Sequence, residues 1–242
     1  MRIINLDTID STNKYCELLN LETVEEFAVV NAKEQTAGHG QHGHHWESEA
    51  LKNLTFSMIL HPQFLPVSDQ YEINKVLALG LTDYLKSAGI ADVCIKWPND
   101  IYVNHDKICG TLVENKLRGS CFHSAVCGVG LNVNQTIFPD WIPNPTSMRL
   151  TTHTEFNTDT VLTELCDKVI DRYEQLRANL HKKIDNDYLS NLKNLGVETA
   201  YLYHGEKILA TILGVNRYGH LLLSSASHGN LTCQMGEITL AH

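Results

Sequence analysis

The sequence predicts an α+β fold: a mixed, largely antiparallel sheet with flanking helices, followed by a small all-β barrel. Three observations predict it. Two long stretches, residues 69–87 and 158 to about 180, carry apolar residues at helical spacing. Short apolar and β-branched runs lie before and between them. Beyond about Leu195 only short strands remain, broken by glycines, and no helical period returns.

The elements follow in order. Residues 10–20, D-S-T-N-K-Y-C-E-L-L-N, open with capping-type side chains and read as a short helix. Residues 27–32 are a compact apolar run, a buried strand. Leu54–Leu60 sets Leu54, Phe56, Met58 and Leu60 against Thr55 and Ser57, and reads as another. In the first long helix Ile73, Val76, Leu77, Leu81, Tyr84 and Leu85 fall on one face; Asp69 can cap its start and Gly89 follows its end. Strands return at 93–96, 101–103, 108–114 and 121–129, with Asn104, His105 and Asp106 as a turn. The second long helix has a stripe of Val161, Leu162, Leu165, Cys166, Val169, Ile170 and Tyr173, and both stripes read as core packing. Last come strands at 199–203, 208–215, 221–225 and 231–235, with Gly205, Gly219 and Gly229 at turns.

The 242 residues suffice for one medium domain and a small one, and 43% hydrophobic content allows a sizeable core. Nineteen Lys and Arg against 28 Asp and Glu give a net charge of −9, which argues against nucleic acid as the main partner. Seven cysteines, an odd number with no C-x-x-C pair, read as reduced thiols of a cytoplasmic protein. No secretory signal opens the chain and no window is long and apolar enough to span a membrane.

Two stretches carry chemistry. In I95-K-W-P-N-D100, Pro98 lacks an N–H and cannot sit within a sheet, and it pushes Trp97 towards extended geometry. A strand therefore ends in a rigid corner bearing an aromatic, an amide (Asn99) and a carboxylate (Asp100). Lys96 stands beside them and Lys107 follows downstream. On composition alone this is a tight polar turn. The other stretch is A37-G-H-G-Q-H-G-H-H-W46, with three glycines and four histidines in ten residues.

The order of the pieces adds more. S11-T-N13, Q35-T-A-G-H-G-Q-H-G-H-H-W46, N53-L-T-F-S57, K96-W-P-N-D100, K107-I-C-G-T-L-V-E114 and G128-V-G-L-N-V-N134 together resemble the biotin protein ligases, and 197–240 is similar to their C-terminal SH3-like barrel. The resemblance covers essentially the whole chain. It implies a biotin/lipoate ligase-like catalytic domain at 1–190, binding biotin and ATP, and an SH3-like barrel at 195–242. It implies adenylation of biotin by ATP with Mg²⁺, then transfer to a lysine of a biotin carboxyl carrier protein. A non-catalytic biotin or adenylate sensor, or a lipoate- or octanoate-type acyltransferase, are the alternatives. The chain begins almost at S-T-N, so a DNA-binding domain is not expected, nor a nucleic-acid partner, and the expected state is a monomer or weak homodimer.

Carried over by motif, Lys107 would contact the biotin carboxylate and the adenylate phosphate and be the catalytic electrostatic residue. Ser11, Thr12, Asn13 and Gln35 would hydrogen-bond the polar ring of biotin. Gly38, His39, Gly40 and Gln41 would wrap it, and Gly110, Leu112 and Gly128 would line its slot. His39, Gly40, His42, Trp46, Lys96, Asn99, Asp100, Lys107, Gly130 and Asn132 would face ATP. No metal site is expected from the protein alone; Mg²⁺ would arrive with ATP. Gly128 and Gly130 also fit as plain sheet glycines, and Lys107 as a solvated lysine after a turn.

The loop departs from the family pattern G-R-G-x-R-G. Histidine stands at both arginine positions, His39 and His42, in G38-H-G-Q-H-G43. Arginine is always charged and bidentate, whereas histidine is mostly neutral at neutral pH and offers one donor. Three readings stay open: a working loop with pH-dependent closure, a loop that holds its intermediate poorly, or a metal site of several imidazoles.

Overall fold

The computed structural model describes residues 1–19, 21–43 and 45–241, and the side chain of His42 is outside the described parts. Its main layer is a seven-stranded sheet made of β1 (Ile3–Ile9), β2 (Val29–Gln35), β3 (Leu54–Leu60), β4 (Val93–Lys96), β5 (Asp100–Val103), β6 (Asp106–Arg118) and β7 (Cys121–Leu131). The order is β1-β2-β3-β7-β6-β5-β4. Only β1 and β2 run parallel; the other neighbours are antiparallel, as expected for a mixed, largely antiparallel sheet.

Helices lie on both faces of this sheet. α1 (Thr12–Leu18) lies on the opposite face, while α2 (Tyr71–Ser87) and α4 (Thr158–Arg177) bury the face bearing Phe56, Met58, Cys127 and Val129. The two long helices approach closely because Gly80 has no side chain: a Cβ there would lie 2.7 Å from the Cα of Val169. The predicted stripes form this core, with Leu77, Leu81, Leu165 and Val169 all buried. Each such side chain contributes about 1.5–3 kcal/mol by leaving water.

Several local expectations are corrected. Phe27 has a φ of 65°, so the strand begins at Val29 and runs on to Gln35. Thr55 and Ser57 are as buried as their apolar neighbours, because β3 is central and covered on both faces. Asp69 does not cap α2. It ends a short 3-10 turn, Gln70 holds the cap position, and the Asp69 carboxylate pairs with Arg217 instead. The edge strand β1, whose side chains are exposed or only half-buried, was not read as a strand. α3 (Met148–Thr152) and α5 (His181–Ser190) are short and bury few residues, which hid them as well.

The C-terminal strands are β8 (Glu198–Tyr203), β9 (Glu206–Val215), β10 (Leu221–Ser225), β11 (Gly229–Cys233) and β12 (Ile238–Leu240), ordered β11-β10-β9-β8-β12 and antiparallel throughout. They form the small all-β unit expected, as a five-stranded sheet; among the described residues no ladder joins β11 to β12 to close it. The chain turns between Gln234 and Glu237 and carries β12 across to β8, away from β11.

The two sheets are tied together at defined points. The linker after α5 lies parallel to β4: Ile95 N–H donates to the Asn191 carbonyl, and Lys193 N–H to the Ile95 carbonyl, each at 2.8 Å. The indole Nε1 of Trp97 donates to the carbonyl of Gly219 at 2.9 Å. The Tyr71 hydroxyl bonds both the Pro98 carbonyl at 3.1 Å and the Tyr188 hydroxyl at 2.9 Å. The Trp97–Pro98 peptide is cis.

Candidate active site

Sheet register builds the site. Lys96 pairs with Asp100, Asp100 with Gly110, Gly110 with Gly130, and Gly130 with Thr55. One pleat along, Leu112 pairs with Gly128 and Gly128 with Ser57. Residues paired across strands, and those two apart along one, share a face. Gly110, Gly128 and Gly130 therefore lie together on the face away from α2 and α4, and their missing side chains leave a trough.

Two side chains drop into that trough. A Cβ on Gly128 would lie 2.3 Å from Oδ1 of Asn13. A Cβ on Gly130 would lie 2.2 Å from Cε2 of Trp46, whose ring also reaches over Gly110. The glycines are sheet glycines by position, and they are required because neighbouring side chains occupy the space.

At one end α1 presents a buried polar cluster. Thr12 N–H donates to Oε1 of Gln35 at 2.9 Å. Ser57 Oγ lies 2.7 Å from Oγ1 of Thr12 and 2.6 Å from Oδ1 of Asn13. Asn13 Nδ2 donates to Oε2 of Glu114 at 2.7 Å. Buried polar groups are costly unless bonded; here Ser11, Thr12, Asn13 and Ser57 are all buried, and the bonds of Ser57 to Thr12 and Asn13 fix the directions these side chains offer to the cavity.

The other end is cationic. Nζ of Lys107 pairs with Oδ1 of Asp100 at 2.7 Å and lies 5.5 Å from the ring centre of Trp46. Its main chain is held from both sides, N–H to the Asn144 carbonyl at 2.7 Å and carbonyl from the Thr146 N–H at 2.9 Å. Burial pushes the Lys96 ammonium below the usual lysine range; Asp100 opposes this, and Lys107 and Lys193 add to it. Asn99 is spent on the scaffold: its Nδ2 donates to the Thr111 carbonyl, and its own carbonyl accepts from Thr111 N–H.

Between these ends is a cavity of about 290 Å³. Ser11, Thr12, Asn13, Gln35, His39, Gly40, Gln41, Trp46, Lys96, Asn99, Asp100, Lys107, Gly110, Leu112, Gly128 and Gly130 all line it. Gly38 and Asn132 do not. Gly38 closes the base of the loop, where a Cβ would lie 2.6 Å from the Trp46 carbonyl, and Asn132 donates its Nδ2 to the Thr146 carbonyl at 2.9 Å. The side chain of His42 lies outside the described residues, and so does His44.

The histidine-rich loop is a small hairpin: His39 bridges His45, a 3-10 turn spans Gln41–Gly43, and Trp46 N–H returns to the Gly38 carbonyl at 3.0 Å. Among the described residues no three His, Cys, Asp or Glu side chains converge as metal ligands. That leaves the imidazole-site reading open, because two of its histidines are not described.

Sequence reasoning missed the wall supplied by the second sheet, where Ile212, Leu221, Met235, Ile238 and Leu240 face the cavity, and it missed Lys193 on the linker. Met235, Ile238 and Leu240 belong to the stretch M235-G-E-I-T-L240, but nothing local says that it faces the site; all these positions reach it through the packing of the two sheets.

Among the described residues no helix is long and apolar enough to cross a membrane. The model of the biotin/lipoate A/B protein ligase family matches residues 6–132, more than half of the chain. A biotin–[acetyl-CoA-carboxylase] ligase of Paracoccus denitrificans is 35% identical over 127 residues, 51% of each chain. The bifunctional ligase/repressor BirA of Bacillus spizizenii is 33% identical over 140 residues, which are 57% of this chain and 43% of that protein. The match thus spans about half the length of these relatives. In three dimensions the chain is similar to the biotin protein ligase from Aquifex aeolicus in complex with biotin and ATP, with a TM-score of 0.83, 26% identity, and coverage of 100% of this chain and 99% of that one. The chain belongs to the biotin/lipoate A/B protein ligase family.

Proposed function

We propose that this protein is a biotin–protein ligase. It joins biotin and ATP into biotinyl-5′-AMP with release of pyrophosphate, then passes the biotinyl group to a lysine of a biotin carboxyl carrier protein. Residues 1–190 act as the catalytic unit and 195–242 as a C-terminal unit that completes its wall. The observation that carries the reading is one trough with a neutral, hydrogen-bonding end at Thr12, Asn13 and Gln35 and a cationic end at Lys107 and Lys96. A ureido ring suits the first and phosphate the second.

In this reading the chemistry follows from position. A carboxylate and a triphosphate repel, so the ammonium of Lys107, at the cationic end of the trough, offsets the charge on both as the phosphoryl bond forms. Asp100 holds Lys107 in place until the nucleotide enters. Asp100 is also the carboxylate lining the cavity, so Mg²⁺ carried in with ATP would be held by it and by phosphate oxygens. When bound, that ion neutralises phosphate charge. The hairpin of Gly38–Trp46 lies over the trough and shields the mixed anhydride from water.

The test is pyrophosphate release from ATP with biotin, with and without a carrier domain, on the wild type and Lys107→Ala. The expected result is biotin-dependent release, label on a carrier lysine, and loss of both in the variant. Tight biotin binding without pyrophosphate would instead make the protein a sensor, and turnover of lipoate or octanoate in place of biotin would move it to the acyltransferases.

A further inference from the structure

The charged side chains lining the cavity are unbalanced. Lys96, Lys107 and Lys193 face a single carboxylate, Asp100, in a chain whose overall charge is −9. Asp100 is already paired with Lys107 at 2.7 Å. Among the described residues Lys96 and Lys193 have no carboxylate partner. Both ammonium groups lie against the same ring, Lys96 Nζ at 5.1 Å and Lys193 Nζ at 5.6 Å from the centre of Tyr102. Two like charges gathered around one ring repel each other unless an anion joins them.

Lys193 is not there by chance of a flexible side chain. Its N–H donates to the Ile95 carbonyl at 2.8 Å, which fixes the linker beside β4, and its Nζ donates to the Asn104 carbonyl. One bond leaves two of the three ammonium protons to offer. Lys96 on β4 is the register partner of Asp100 on β5, Asp100 holds Lys107 of β6, and Lys193 lies on the linker outside β4, so the three cations line the cavity between the reacting centre and the sheet edge. The loop, meanwhile, carries histidines at His39 and His42 and so brings no permanent charge of its own.

We infer that Lys193 is a phosphate-binding residue of this site, which with Lys96 holds the outer phosphates of ATP and the departing pyrophosphate. The inference rests on the ligase reading for its substrate, and it adds a residue from the linker that no motif contains. No bond to Lys193 is made or broken; it supplies charge and two donors.

The test is calorimetric binding of MgAMP-PNP, Mg-pyrophosphate and biotin to the full chain, for wild type, Lys193→Met and Lys193→Arg. The expected result is a roughly tenfold weaker hold on both phosphate ligands in Lys193→Met, the loss of one ordinary charge-assisted contact. Biotin affinity and melting temperature should stay unchanged, and Lys193→Arg should restore binding. Unchanged nucleotide and pyrophosphate affinity in Lys193→Met would overturn the inference. So would an equal loss for biotin, or failure of Lys193→Arg to rescue, which would make Lys193 a linker anchor only. Because binding is read without turnover, a protein that bound these phosphates through Lys193 yet released no pyrophosphate from ATP and biotin would refute the ligase reading alone.

Discussion

The indole N–H of Trp97 donates to the carbonyl of Gly219, so the corner that aims Lys96, Asn99 and Asp100 is pinned by a turn of the C-terminal sheet. Gly219 can serve there for two reasons. Its φ is +86°, and a Cβ would lie 2.3 Å from Cδ2 of Tyr71. Gly219→Ala should destabilise the fold by about 2 kcal/mol, read as a melting temperature lower by about 4–8 °C. It should also raise the KM for ATP more than that for biotin, since the corner is on the cationic side. Equal changes in both constants would separate the turn from the corner.

Gly128 and Asn13 form a second such pair. Gly128→Ala must push Asn13 away, breaking its contacts with Ser57 and Glu114. Titration calorimetry should show biotin affinity falling with Mg-nucleotide affinity little changed. Asn13→Ala removes the amide without the push, leaving the Glu114 carboxylate short of a donor at a cost of about 1–3 kcal/mol. Denaturant unfolding measures that cost.

Gly130→Ala would strike the Trp46 ring, whose Nε1 is buried without an acceptor among the described residues. Displacing the ring should shift tryptophan emission to longer wavelength as the indole meets water. Nucleotide affinity should fall in parallel, and an unchanged spectrum would show that the trough can relax around a methyl group.

The thiols give a test of the reduced state. Burial raises Cys16 and Cys127 to about 12, and burial also raises Cys109 and Cys166. A raised thiol stays protonated at pH 8 and reacts slowly. Cys121 is exposed. Titration with a disulfide reagent should therefore show Cys121 reacting first, Cys94 more slowly, and the buried cysteines only on unfolding.

The loop histidines predict a pH dependence that an arginine loop would lack. If His39 and His42 hold the adenylate as cations, biotinyl-AMP should leave more slowly at pH 6 than at pH 8. Replacing both with arginine should slow release and flatten the profile. A flat profile in the wild type would remove charge from the account of these side chains.

Much of this was legible in the chain. Leu54–Leu60 and Leu221–Ser225 match the predicted strands to the residue, because apolar alternation and flanking turns fixed both ends. The site motifs were legible one by one because each is a contiguous stretch, while the cavity they line together depends on the register of strands far apart in sequence. What stayed hidden depends on distant partners. The strand Ile3–Ile9 is recognisable only by its parallel pairing with Val29–Gln35, and Asp69 looked like a cap until Arg217 supplied a better partner. Lys193 stands in no motif, and only the pairing of its segment with β4 brings it to Tyr102.

The cavity is lined by Ser11 near one end of the sequence and by Leu240 near the other. During synthesis the first sheet can form while the ribosome is still adding residues, at about 5–20 per second. The pocket cannot close until β12 has emerged and crossed to β8. A nascent chain therefore displays its lysines and polar cluster without the apolar wall that completes the enclosure, so substrate capture waits until β12 has left the ribosome, and premature termination anywhere in the second sheet yields a chain with its motifs intact and its binding site unfinished.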